Sequence, residues 1–513
     1  MKYCAYLCVG SVLLGLMAVS VQAGEVVNGQ TSMRYHISWR TPATISDGKY
    51  DLGKGHAPGA GTRWIKSEYG QPTPPPPADW KKAEFDDSNW PRRTGSVLGG
   101  YGYSGPNDAY LVCSRVRFGV TDPAKAMDLK LELTYRGGVV VYLNGTEIGR
   151  GHMAKGEVEP LTLAEDYAKD AFVGSTGAPL RALDARNETP PAGTAADYER
   201  RMRKLSLDLP AKLLQKGTNV LAVEVHRAAI PAELLSRNSW GTCGLVSIGV
   251  KSNSGAVEPN VGPAKGVQVW NCDALARGGT DYVAGDPFEP LRPIALATPR
   301  NGVSSGQIVI SSDSPLKGIS ARLGDLKSEQ GATIPPASVQ IRYATVDESF
   351  PMLLDKASDG ATMQPIWLTA RVGREVPAGL YRGTLSVAGL GRPQEVPVEL
   401  RVYDWTLPDL RDLHTSASFL HCPESIAGHY KVPMWSDEHF ARIEKSFALM
   451  GYVGNRLLSV SAIARDLFGD HPVIVFRKEQ GGYVPDFRYA KRYIELYNKA
   501  AGEPRQLSVQ VWN

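Results

Sequence analysis

Hydrophobic and polar residues alternate with period two through most of the chain and switch to a helical period near its end. Leu129-Lys130-Leu131-Glu132-Leu133 alternates strictly, the pattern of a strand with one face buried. Tyr110–Val120, Val139–Leu143, Leu205–Leu209 and Val220–His226 are further strand-like runs. Asn144-Gly145, directly after an apolar run, predicts a tight hairpin, because both turn positions need residues that tolerate positive φ. Lys216-Gly217-Thr218-Asn219 predicts a second turn. Short strands punctuated in this way predict an antiparallel jelly-roll sandwich over 24–254. A linker of small and breaking residues runs from Ser252-Asn253-Ser254-Gly255 to Gly262-Pro263.

A second set of strands spans 266–408, clearest at Ile308–Ile310, Val339–Tyr343, Ile366–Val372, Gly383–Val387 and Glu395–Tyr403. In the last of these, Val396, Val398, Leu400 and Val402 share one face. Pro397 lies on the other and cannot donate to a ladder, which predicts an edge strand or a strand start. A second β-sandwich is the economical expectation. From 409 to 513 the character changes. Thr415–Leu420, Leu457–Val460 and Leu507–Trp512 read as strands and Val473–Phe476 as a short apolar run. Ser436 predicts the cap of a helix carrying Phe440, Ile443, Phe447 and Met450 on one side and closed by Gly451. Asp486 opens a second helix, with Ala490, Tyr493, Ile494 and Tyr497 on one side, ended near Gly502. Strand and helix in alternation predict the start of a parallel sheet or a TIM-type (β/α) barrel. The expected fold class is mostly β: a jelly roll, a second β-sandwich, then a partial (β/α) barrel.

Composition sharpens this picture. With 513 residues, 42% hydrophobic and 21% charged, the chain is a folded protein of about three domains. The 53 Gly and 36 Pro exceed the usual ~7% and ~5% and favour turn-rich β structure. The net charge of +4 is nearly balanced, and Arg and Lys form no stripe, which excludes nucleic acid as a partner. Met1-Lys2-Tyr3-Cys4, an apolar run from Ala5 to Val19 and Val21-Gln22-Ala23 describe a secretory signal cleaved after Ala23. The apolar run is too short to span a bilayer, so an exported protein without a membrane span is expected: periplasmic, cell-surface or secreted. Cys113, Cys243, Cys272 and Cys422 remain after cleavage and permit up to two disulfides, with three pairings open.

Two stretches resemble known families. Asp79-Trp80, Phe85-Asp86-Asp87-Ser88-Asn89-Trp90, Gly99-Gly100-Tyr101-Gly102, the run Val141–Arg150 and Gly217–His226 resemble a galactose-binding-like jelly roll. Relatives often carry an acidic pair before the hairpin, where this chain has Arg136-Gly137-Gly138. Read as residues alone, Trp80, Trp90 and Tyr142 are core aromatics and His226 a core histidine. Pro365-Ile366-Trp367-Leu368-Thr369, Pro377-Ala378-Gly379-Leu380-Tyr381-Arg382-Gly383, the run Val402–Pro408 and Trp435–Phe440 resemble the β-N-acetylgalactosaminidases of glycoside hydrolase family 123.

That second resemblance implies a (β/α)-barrel glycosidase using an adjacent Asp-Glu pair, with Glu as acid and Asp steadying the substrate's acetamido nucleophile. Asp437-Glu438 is the one such dipeptide in the last region. It lies at a helix start, whereas barrel catalytic groups sit at the carboxyl ends of strands. His421, Asn455, Ser461, Trp512 and Asn513 are instead the candidate sugar contacts. His414, His421, His429 and His439 cluster in sequence but lack the i, i+4 spacing of a helical metal pair, so no metal and no cofactor is implied. The expected partner is a polysaccharide or glycan containing amino sugars. The roughly 105 residues after 408 offer about three strands, against eight in a complete barrel of ~250 residues. The chain is therefore expected to be a glycosidase fragment without activity, or else a non-catalytic carbohydrate-binding or surface-interaction protein.

Overall fold

Strand alternation is realised directly in the computed structural model, which describes residues 24–53, 73–98, 108–174, 177, 195–237, 240–262, 265–274, 276, 285–346, 352–410, 412–414, 419–465 and 469–512. The signal at 1–23, Gly99–Gly102 and Asn513 lie outside them. In Lys130–Arg136, Leu131 and Leu133 are buried while Lys130 and Glu132 are exposed. This strand sits in a five-stranded antiparallel sheet ordered Glu25–Val27, Gly244–Lys251, Lys130–Arg136, Arg203–Asp208, with Val97–Leu98 beside the second. A seven-stranded sheet runs Thr146–Gly151, Gly138–Leu143, Gly217–His226, Ala109–Val120, Met33–Trp39, Arg92–Arg93, with Val257–Glu258 added on Ala109–Val120. Between the two sheets lies one apolar core that includes Val112, Val116, Phe118, Leu131, Leu133, Val141, Leu221 and Leu245. The Asn144-Gly145 hairpin forms as its residue types require, with φ of 50° and 87° and Thr146 registered on Leu143.

All twelve residues of Ala109–Val120 are buried, because loops cover the other face of the seven-stranded sheet. Trp80, Trp90, Tyr142, Leu111 and Cys113 form a second cluster there. The short helix α1 (Ala195–Glu199) belongs to the same sandwich.

The second set of strands forms two more sheets. One is ordered Gln268–Cys272, Val303–Ser311, Met363–Arg371, Val339–Ala344, Leu353–Leu354. The other is ordered Ile294–Arg300, Gln394–Thr406, Gly379–Ala388, Leu326–Ser328, Thr333–Ile334, with Ser320–Leu323 also on Gly379–Ala388. The Tyr343 hydroxyl accepts from the Ala321 amide at 2.8 Å and ties one sheet to the other. Val396, Val398, Leu400 and Val402 are all buried. The edge position expected from Pro397 is corrected: Gln394–Thr406 lies between two strands. Its thirteen residues outrun a seven-residue neighbour, so part of an interior strand has a free side where a proline costs no ladder bond.

A buried ionic seam joins the first sandwich to the segment 286–292. Asp87 accepts from Arg115 Nε at 2.7 Å and from Arg117 Nη2 at 2.6 Å. Arg117 also lies 3.6 Å from Asp286, and Glu289 receives Arg34 and Arg92, each at 2.6 Å. Burial pushes the Asp286 carboxyl up to about 6 against the pull of Arg117. At Glu289, burial works upward, but Arg92 and Arg34 outweigh it and bring the group down to about 2.

The chain divides into two compact units, 1–296 with 304–370 and 380–401, and 297–303 with 371–379 and 402–513. In the second unit, α2 (Pro423–Tyr430), α3 (Asp437–Tyr452) and α4 (Arg488–Ala501) accompany a parallel pair, Leu457–Ser461 on Gln506–Gln510. Of the strand expected at Thr415–Leu420, 415–418 lie outside the described residues and Phe419 and Leu420 are not in a strand. Val473–Phe476 runs into an antiparallel hairpin, Val475–Glu479 with Gly482–Asp486.

Candidate functional site

The second unit is assembled by its helices. Ser436 caps α3 as its sequence requires, its hydroxyl accepting from the His439 amide at 3.1 Å. Gly451 does not end this helix, which continues to Tyr452. A Cβ at Gly451 would lie 2.7 Å from the Ala501 Cα, so the glycine serves close packing of α3 on α4. Phe440, Ile443, Phe447 and Met450 meet Leu458, Val460, Ala490, Tyr493 and Tyr497 in one core.

His421 follows the segment leading into α2 and is buried in this core. Its ring packs 4.7 Å from Phe447 and 5.8 Å from Tyr493, centroid to centroid. Nδ1 lies 2.7 Å from the Tyr493 hydroxyl, while Nε2 is buried without a hydrogen-bond partner. Burial, with His439 adding to it, lowers the imidazole to about 4, so it is neutral at pH 7 and burial raises the Tyr493 phenol. His439 contrasts with it. Its Nδ1 accepts from the Trp435 amide at 3.0 Å and its Nε2 reaches the Pro423 carbonyl at 2.9 Å, which assigns one neutral tautomer.

Asn455 is a clamp. Its Oδ1 accepts from the Phe419 amide at 2.7 Å, and its Nδ2 donates to the Leu457 carbonyl at 2.7 Å and the Tyr497 hydroxyl at 3.0 Å. Ser461 ends the first parallel strand, buried, and donates to the Ile463 carbonyl at 2.8 Å. Trp512 is 79% exposed, two residues after Gln510, the register partner of Ser461. Asn513 lies outside the described residues. The structure thus links His421 and Asn455 to the one helix α4 through Tyr493 and Tyr497, and sets Ser461 and Trp512 at the carboxyl ends of the parallel pair. Asp437 stands at the start of α3 with its side chain 92% exposed and pairs with Arg492 at 2.7 Å.

Sequence reasoning missed two features of this region. Glu424 in α2 accepts from the amides of Asp470 at 2.6 Å and His471 at 3.2 Å, tying down the loop after Ser461. The hairpin at 475–486 was legible in its Gly481-Gly482 pair, both at positive φ, a dipeptide that marks a turn. Cys113, Cys243, Cys272 and Cys422, which permitted two disulfides, form no disulfide among the described residues.

In the first unit the ring cluster builds the module rather than a stacking platform, since Trp80, Trp90 and Tyr142 are each under a tenth exposed. Glu224 accepts from Tyr142 at 2.9 Å and pairs with Lys81 at 2.9 Å. Burial works to raise its carboxyl, but His226 and Lys81 outweigh it and bring it to about 2. His226 is buried, with Nδ1 3.0 Å from the Thr162 carbonyl. A Cβ at Gly137 would lie 2.0 Å from the His226 carbonyl oxygen, and its φ is 94°, so this position requires glycine. An open groove of about 550 Å³ crosses the outer face of the five-stranded sheet. Glu25, Glu132, Lys204 and Lys251 line it without any aromatic residue.

Residues 421–510 match the family model described as "Glycoside hydrolase 123, catalytic domain". No curated protein matches the chain. Among solved structures, a family 123 glycoside hydrolase from Clostridium perfringens, described in a study of glycolipid glycan hydrolysis, is similar at 14% identity. The likeness covers 46% of each chain with a TM-score of 0.39. Bacteroides uniformis β-glucuronidase 2 is similar at 12% identity over 94% of this chain and 46% of its own, with a TM-score of 0.22. Ruminococcus gnavus β-glucuronidase is similar at 9% over 74% and 46%, with a TM-score of 0.20. This chain spans about half the length of each of these structures. The matched segment begins at His421 and ends at Gln510, and through that segment the chain is related to the family 123 glycoside hydrolases.

Proposed function

We propose that this is an exported, glycan-directed relative of the family 123 glycosidases, in which the second unit is the opening of a (β/α) barrel. One observation carries the reading. The catalytic-domain match at 421–510 coincides with a parallel strand pair accompanied by the helices α2, α3 and α4. Sugar is held at the carboxyl ends of those strands, where barrel chemistry is placed. His421, enclosed against Phe447 and Tyr493, and Asn455 fix the segment that leads into α2 and so support that edge without meeting sugar themselves. Ser461 and Trp512 flank that end of the parallel pair. The two sandwiches act as accessory modules, and Met1–Ala23 directs export.

Asp437-Glu438 faces solvent at a helix start, away from the strand ends where barrel catalytic groups sit. The chain by itself therefore binds glycan without hydrolysing it. An assay on an aryl β-N-acetylgalactosaminide is expected to show no turnover by this chain. Turnover by the chain alone overturns the inactivity. Glycan binding without turnover supports a carbohydrate-binding scaffold, and absence of glycan binding overturns the glycan-directed reading.

A further inference from the structure

The hairpin Val475–Glu479 with Gly482–Asp486 is rooted at the carboxyl end of the parallel pair. The Ser461 carbonyl accepts from the Val473 amide at 2.9 Å and the Ile474 amide at 3.1 Å, and both of those side chains are buried in the unit's core. Beyond that root, nearly every residue of the hairpin is exposed. Phe476 faces Pro485 across the ladder and Lys478 faces Tyr483. Directly opposed residues share a side and so do positions two apart, which places Phe476, Lys478, Tyr483 and Pro485 on one face. Phe476 is 52% exposed and Tyr483 is 70% exposed.

Isolated apolar residues on a surface need no explanation. This is a different arrangement, with two rings, a proline and an ammonium on one side of a two-stranded element. Such an element is marginal alone, and here Asp486 pins its base by pairing with Arg477 and Arg488. Those pairs employ the other face and the helix start. Lys478 has no ion pair among the described residues and faces an aromatic ring rather than a carboxylate. Trp512 adds a third exposed ring beyond the end of the adjacent strand.

We propose that this hairpin face is a docking platform for an acidic glycan, which lays sugar rings on Phe476 and Tyr483 while Lys478 meets a carboxylate or sulfate. The ring faces suit the apolar side of a sugar, and the unpaired ammonium supplies the charge complement. The inference rests on the glycan-directed reading above and adds the ligand's charge and the element that reads it.

The test uses the full chain and three probes: chondroitin sulfate, unsulfated chondroitin and the neutral N-acetylchitohexaose, with binding followed by calorimetry at low and high salt. Tyr483→Ala and Phe476→Ala are each expected to weaken acidic-probe binding about fivefold. Lys478→Gln is expected to weaken it similarly, flatten its salt dependence and leave the neutral probe unchanged. All three side chains are exposed, so thermal melting of the variants stays at the parent value and confirms that they fold. Binding of unsulfated chondroitin assigns the contact to a carboxylate, and binding of the sulfated probe alone assigns it to sulfate. Acidic-probe binding that survives all three substitutions overturns the platform, as does equal affinity for the neutral probe. If no probe binds the parent chain, the glycan-directed reading falls as well.

Discussion

The ionic seam of the first unit and the hairpin of the second put their polar and aromatic groups to opposite uses. In the seam, Asp87, Arg115 and Arg117 are withdrawn from water and bonded to one another. Arg115 also donates to the carbonyls of Trp80 and Lys82. Charge so enclosed cannot meet a ligand, and its geometry orients one segment on another. In the hairpin, Phe476, Tyr483 and Lys478 are left in solvent on a face that nothing described covers. The same contrast separates the rings of the two regions, since Trp80 and Trp90 are core and Tyr483 and Trp512 are surface. An aromatic or charged residue points to function only once its burial is known.

The comparison breaks most sharply at Asp87. Replacing it with alanine strands two buried guanidinium groups, and the expected loss is about 3–5 kcal/mol, read from denaturant unfolding. A loss under about 1 kcal/mol would show that water enters the seam freely. The next effect is in pH. Asp286 has its folded pKa raised to about 6 from 3.8, so its contribution is present below pH 3.8 and disappears as pH rises through 6. At ~1.4 kcal/mol per pKa unit this is at most about 3 kcal/mol. His421, lowered to about 4 from 6.5, acts in the opposite sense, and its contribution is lost as pH falls from 6.5 to 4. Because the two windows overlap and largely cancel in the parent, Asp286→Asn is expected to unmask a rise in stability between pH 4 and 6.5 in urea titrations, the His421 limb. The smallest effect is expected at Asn455→Ala, about 2 kcal/mol, because the buried groups it serves lose their partners. Unlike Tyr483→Ala, this variant is expected to lower the melting temperature.

Period and punctuation made much of the fold legible. Leu131 and Leu133 are buried in alternation, Asn144-Gly145 turns the hairpin, and Ser436 caps α3, because each depends on a few neighbouring residues. Pro397 misled, since whether a strand is interior depends on the length of a neighbour about a hundred residues away. Gly451 misled because a helix stop and a close helix crossing call for the same residue. In the candidate site, His421 and Asn455 were singled out for their places near expected strand ends, and the described residues just before His421 form no strand. The Tyr493 and Tyr497 hydroxyls that engage them were not, since these come from a helix some 40 to 70 positions later.

By itself, the sequence determined many of the strands and the two long helices, the near-balance of charge, and a family likeness whose C-terminal portion the catalytic-domain match at 421–510 supports. These are local properties of periodicity, turn chemistry and motif. Tertiary structure alone decided which polar groups are enclosed and which are offered. It buried the rings around Trp80, closed the charges around Asp87, left His421 Nε2 without a partner and set Phe476 and Tyr483 on one open face. Burial and cross-strand register arise from contacts between distant segments, and no local pattern carries them.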